Sequence, residues 1–64
     1  MIAENIKKIR KKKGISQDKL SKLADVTLTT LTKIESVINT NPTVNTIQKI
    51  AKALDIGVED LLKT

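Results

Sequence analysis

Cysteine, histidine and all three aromatic residues are missing from this chain of 64 residues. Without Cys there is no disulfide framework and no thiolate site for a metal. Without His, the usual zinc ligand and the commonest general base are both gone. Without Phe, Tyr or Trp, no aromatic platform can stack single-stranded bases. Apolar runs are also short. None approaches the roughly 18 residues of a membrane span, and the N-terminus has no secretory h-region. The expectation is a soluble, cytoplasmic protein with no metal and no cofactor.

What is present is aliphatic and basic. The hydrophobic 39% consists of aliphatic residues, Ala and one Met. That suffices for one domain over residues 1–64 with one small core. A chain this short buries only about 60% of the surface that its unfolded form exposes. The net charge is +5 with a pI near 9.8, which favours polyanionic partners. Lys7, Lys8, Arg10, Lys11, Lys12 and Lys13 crowd the first segment, while Asp55, Glu59 and Asp60 lie near the C-terminus. One basic end and one acidic end would orient the molecule on a polyanion.

The hydrophobic spacing predicts five helices and no strand. At about 100° per residue, Ile2, Ile6 and Ile9 form one stripe of a helix over 2–13, stopped by Gly14. Ser16 and Thr27 are N-cap residues for helices over 17–23 and 28–36. Leu20, Leu23 and Ala24 mark the inner face of the first of these. Leu31 and Ile34 mark that of the second, with Leu28 at its edge, and Val26 in the turn points inward. Residues 36–43, SVINTNPT, read as a loop. Thr43 caps a helix over 44–54 with an inner stripe of Val44, Ile47, Ile50, Ala51 and Leu54. A last short helix covers 58–63. The fold class is all-α, a compact five-helix domain.

The stretch SQDKLSKLADVTLTTLTKIE, residues 16–35, carries the functional expectation. Two short helices joined by a tight turn, in a basic chain, have the shape of a helix-turn-helix whose second helix enters DNA. With Leu31 set inward, Thr29 and Lys33 face outward, flanked by Thr32 and Ser36. That face holds no carboxylate and nothing apolar. Hydroxyls can approach base edges or phosphates, and a Lys can donate to guanine O6 or N7. The bland alternative is a solvated helix face rich in Thr. Leu28 is either core or a contact to a thymine methyl. Arg10 and Glu35 fall inside the apolar stripes of their own helices, where an unpaired charge is costly, so each is the other's expected partner in a salt bridge. The lysines of the first helix would add general electrostatic attraction.

These residues resemble the Cro/repressor-type helix-turn-helix domains of lambdoid phage repressors and the xenobiotic-response-element family. The resemblance spans essentially the whole chain. It is carried by Gly14-Ile15-Ser16-Gln17, by Ile34-Glu35, and by Pro42-Thr43 followed by a helix ending Ala51-Lys52-Ala53-Leu54. It implies that Leu28, Thr29, Thr32 and Lys33 read bases. It implies that Ser16, Gln17, Thr27, Ser36, Thr40, Asn41 and Thr43 hold phosphates, with Gln17 also bracing the second helix. The Arg10–Glu35 pair matches one found in phage repressors. Asp25 and Asp55 depart from the family, which often has Gly at both places. Leu28 stands where a long polar base-reader is common, and the loop lacks Lys and Arg. These departures imply weaker operator binding or a specificity carried by Thr29, Thr32 and Lys33.

The expected function is therefore a sequence-specific regulator of transcription, prokaryotic or viral, that binds double-stranded DNA. It would bind a palindromic operator as a homodimer, with half-sites about 34 Å apart, and be monomeric away from DNA. Val37, Ile38, Val58 and Leu62 are apolar residues available for the dimer contact. The alternative is a protein-interaction module, an adaptor or a partner in an antitoxin or restriction-control system, that keeps the fold with little operator binding. An enzyme is not expected, because the acids are scattered and no nucleophile–base pair is available.

Overall fold

Three hydroxyl side chains start three of the helices. The computed structural model describes residues 2–36 and 42–62. Its helices are α1 (Ile2–Lys12), α2 (Gln17–Ala24), α3 (Leu28–Glu35), α4 (Val44–Ala53) and α5 (Val58–Leu62), with no strand among the described residues. Ser16 Oγ accepts from Lys19 N, Thr27 Oγ1 from Thr30 N and Thr43 Oγ1 from Thr46 N, each at 3.1 Å. Each bond satisfies an N–H that the first turn would otherwise leave without a partner.

Three helices also stop in the same way. After α1, Gly14 N–H donates to Lys11 O and Ile15 N–H to Arg10 O, both at 3.0 Å. After α2, Asp25 N–H donates to Lys22 O at 3.3 Å and Val26 N–H to Ser21 O at 3.0 Å. After α4, Asp55 and Ile56 repeat the pattern onto Lys52 and Ala51. This is the Schellman arrangement, which needs a left-handed residue followed by an apolar one. Gly14, Asp25 and Asp55 accordingly have φ of 70°, 56° and 58°. The following Ile15, Val26 and Ile56 all pack against the core. Asp supports this geometry twice without a glycine because its short polar side chain tolerates the left-handed region better than most.

The core is wholly aliphatic. Ile6, Leu20, Leu31, Ile50, Leu54 and Leu61 are fully buried, with Ala24, Ile34 and Ala51 filling between them. α2 packs on α3 and α4, α1 packs on α3 and α5, and α4 packs on α5. Asn5 Nδ2 ties α1 to α5 by donating to Leu61 O at 2.8 Å. The radius of gyration is 10.1 Å, close to the roughly 11 Å of a folded chain this long.

Two expected core positions are corrected. Leu23 is 53% exposed and Val44 69% exposed. On α2 the buried arc runs through Leu20, Ala24 and Ser21. Ser21 lies about 100° from Leu20 on the side opposite Leu23, so the arc is turned away from Leu23. On α4, burial begins only at Thr46 and Ile47, leaving the first residue of the helix in solvent. Helix ends also shift by a residue: α1 ends at Lys12, α2 extends to Ala24, and Ser36 and Leu54 are C-caps of α3 and α4.

Candidate nucleic-acid interface

α3 is held from behind by ionic contacts. Arg10, on the inner face of α1, donates from Nε to Glu35 Oε2 and from Nη2 to Glu35 Oε1, each at 3.0 Å. Its Nη1 donates to Ile15 O at 2.9 Å, which fixes the guanidinium in the linker between α1 and α2. Gln17, the first residue of α2, donates from Nε2 to the same Glu35 Oε1 at 3.1 Å. One carboxylate thus joins the end of α1, the start of α2 and the end of α3. Glu35 is 1% and Arg10 9% exposed. Among the described residues no buried side-chain N or O atom lacks a hydrogen-bond partner. Burial raises the stakes, because removing one member of a buried pair strands the other and costs about 3–5 kcal/mol. The fork geometry of Arg suits a carboxylate on both oxygens, which Lys could not copy.

The front of α3 has a different chemistry. Leu28, Thr29, Thr30, Thr32, Lys33 and Ser36 are all exposed, and none is acidic. Leu28 and Thr32 stack one turn apart in one row, and Thr29 and Lys33 form the adjacent row. The wheel's boundary position for Leu28 corresponds to 43% exposure. Several hydroxyls are engaged within the chain. Thr32 Oγ1 donates to Leu28 O at 2.8 Å and Ser36 Oγ to Lys33 O at 2.7 Å. Thr27 Oγ1 meets Thr30 Oγ1 at 2.8 Å.

Thr30 was not among the residues expected to matter. It lies on the far edge of the outward arc, and only its capping relation to Thr27 in the sequence could have marked it. The Gln17–Glu35 bond links residues 18 apart, which no helical wheel can bring together.

Gln17, the first residue of α2, is bonded to the end of α3 and is itself partly exposed. Gln17 uses one amide N–H on Glu35. Ser16 is exposed beside it, as is Thr43 at the start of α4. The carboxylate in this neighbourhood, Asp18, lies 3.2 Å from Lys22 Nζ one turn on. Arg10 leaves the basic run of α1 for the interior, while Lys8, Lys11, Lys12 and Lys13 stay exposed. Thr40, Asn41, Val37 and Ile38 lie outside the described residues. Val58 packs partly against the core, and Leu62 is exposed.

Comparison with known proteins agrees with this geometry. The transcriptional regulator SinR of Bacillus subtilis (strain 168) is 39% identical over 62 residues, covering 97% of this chain and 56% of SinR. The chain thus spans about half the length of that relative. A crystal structure of SinR, the master regulator for biofilm formation, in complex with DNA superposes with a TM-score of 0.92 at 38% identity, covering 98% of this chain and all of that one. The restriction-modification controller protein C.AhdI from Aeromonas hydrophila superposes with a TM-score of 0.88 at 28% identity, covering 94% of this chain and 89% of that one. A family model described as helix-turn-helix matches residues 6–61. With the cap-to-cap α2–α3 pair at its centre, the chain belongs to the helix-turn-helix family.

Proposed function

We propose that this chain is the DNA-binding domain of a transcriptional regulator, with α3 in the major groove of double-stranded DNA. The observation that carries the reading is the outer face of α3, which is exposed and free of carboxylate because its one acid, Glu35, is locked inside. A carboxylate on that face would be repelled by phosphates, and a buried, paired one is not. SinR, to which the chain is similar over nearly its whole length, is a transcriptional regulator solved on DNA.

The roles follow from position. Leu28, Thr29, Thr32 and Lys33 meet base edges. Ser16, Gln17, Thr27, Ser36 and Thr43 meet phosphates, joined by Thr40 and Asn41 of the connecting segment. Gln17 meets a phosphate while its bond to Glu35 keeps α2 pinned to α3, so backbone contact and helix placement are coupled. The protein acts in the cytoplasm as a homodimer on a palindromic site. Leu62, exposed at the end of α5, supplies apolar surface for the two-fold contact, and Val37 and Ile38 add to it.

The test is a fluorescence-anisotropy titration of mixed-sequence duplex DNA at rising salt. Each phosphate contact contributes about −0.9 to the log–log slope, so several contacts give a steep negative slope. A slope near zero would sink the reading.

A further inference from the structure

The readers available on α3 restrict what it can recognise. The helix sequence LTTLTKIE contains no Arg, Asn or Gln, so Lys33 is its one side chain that can read a purine through hydrogen bonds to guanine O6 and N7. Gln17 has one amide N–H committed to Glu35. The hydroxyls of α3 are further constrained. A peptide carbonyl can only accept, so Thr32 and Ser36 must use their single hydroxyl protons on Leu28 O and Lys33 O. Toward a duplex, Thr32 presents a γ-methyl group and oxygen lone pairs, not a donor. Beside it, one turn earlier, the isobutyl group of Leu28 stands 43% exposed with no polar atom at all. The next row holds Thr29 and the Lys33 ammonium. One side of the face is therefore the apolar Leu28–Thr32 row, and beside it, opposite Leu31, stand Thr29 and one cationic donor, Lys33.

Resting on the DNA-binding reading, we propose that this helix selects its sites by the C5-methyl groups of thymine, through Leu28 and Thr32, with Lys33 fixing the register on a guanine. Thymine is the base that places a methyl group in the major groove, and Thr methyl and other apolar side chains are its matching contacts. The gain comes from apolar area removed from water. It is a steady, modest selectivity at several positions, not the strong discrimination of a bidentate pair.

The experiment starts with selection of duplexes from a random pool by the 64-residue chain. Recovered half-sites are expected to carry two or more thymines and a guanine. Each thymine is then replaced in turn by deoxyuridine, which removes only the methyl group. Affinity is expected to fall about fourfold at each contacted position, the equivalent of one buried CH₂ group. Thr32→Ser keeps the hydroxyl and removes the methyl, so it abolishes the deoxyuridine effect at one position. Leu28→Ala does the same at a neighbouring position, and both residues are exposed, so the fold survives. Half-sites made of purine contacts alone, or binding indifferent to deoxyuridine at every position, would overturn this inference and leave DNA binding intact. Enrichment of no duplex at all would overturn both.

Discussion

The two faces of α3 handle charge in opposite ways. The inner face buries a full carboxylate and satisfies it with two bonds from Arg10 and one from Gln17. The outer face carries no carboxylate, one ammonium and a row of short side chains. The difference teaches how a short helix becomes a reader. Its eight residues form few hydrogen bonds of their own, so tertiary contacts must hold it. The contacts from Arg10 and Gln17 reach its buried face, opposite the one proposed to meet DNA. Changes to the inner face should therefore act on stability, and changes to the outer face on binding.

The largest expected effect is on the inner face. Glu35→Ala strands the Arg10 guanidinium and is expected to cost about 3–5 kcal/mol in urea denaturation, a large share of what a small domain has. A cost within the error of the wild type would mean that apolar packing alone holds α3. On the outer face, Lys33→Ala is expected to weaken binding to a selected duplex by about 1–3 kcal/mol if the ammonium reads a base. If it meets a phosphate instead, the salt slope flattens by about one unit. In either case the unfolding free energy should move by no more than about 0.5 kcal/mol, and a larger loss would break the division between faces.

Smaller effects sharpen the comparison at the ends of the two helices. Thr27→Ala removes the N-cap of α3 and is expected to cost about 1 kcal/mol in thermal unfolding. Asp25→Gly relieves the left-handed residue between α2 and α3 and is expected to stabilise by up to about 1 kcal/mol, net of the extra chain entropy of Gly. Loss of stability there would show that the Asp side chain contributes more than its strain removes. The exposed Asp18–Lys22 pair is expected to contribute less than about 0.5 kcal/mol of coupling in a double-mutant cycle of Asp18→Ala and Lys22→Ala. That pair joins residues one turn apart on one helix, whereas Arg10–Glu35 joins two helices.

Much of this was legible in the sequence because it is local. N-caps at Ser16, Thr27 and Thr43, and the stop at Gly14, are written in single residues next to periodic runs, whereas Asp25 and Asp55 read only as turn residues standing where Gly is common. Arg10 and Glu35 were legible for a different reason: a charge inside an apolar stripe has few alternatives to a partner. Leu23 and Val44 were not, because a wheel ranks positions on one helix without knowing which neighbours cover it. α2 turns its small Ser21 inward and leaves Leu23 at the rim of a groove with Lys49, Lys52 and Ala53. The hydroxyl bonds of Thr32 and Ser36 were equally hidden. Spacing shows that a Thr faces outward and says nothing about where its proton points.

α3 and the starts of α2 and α4 are proposed to form one DNA-binding face. The most direct test is a two-dimensional NMR titration of the isotope-labelled chain with a selected duplex, following backbone amides residue by residue. The largest shift changes are expected at Gln17, across Thr27–Lys33, and at Ser36 and Thr43, with Ala3 and Leu61 unmoved. Changes centred on α5 and the N-terminal half of α1, with Thr29 and Lys33 silent, would contradict it.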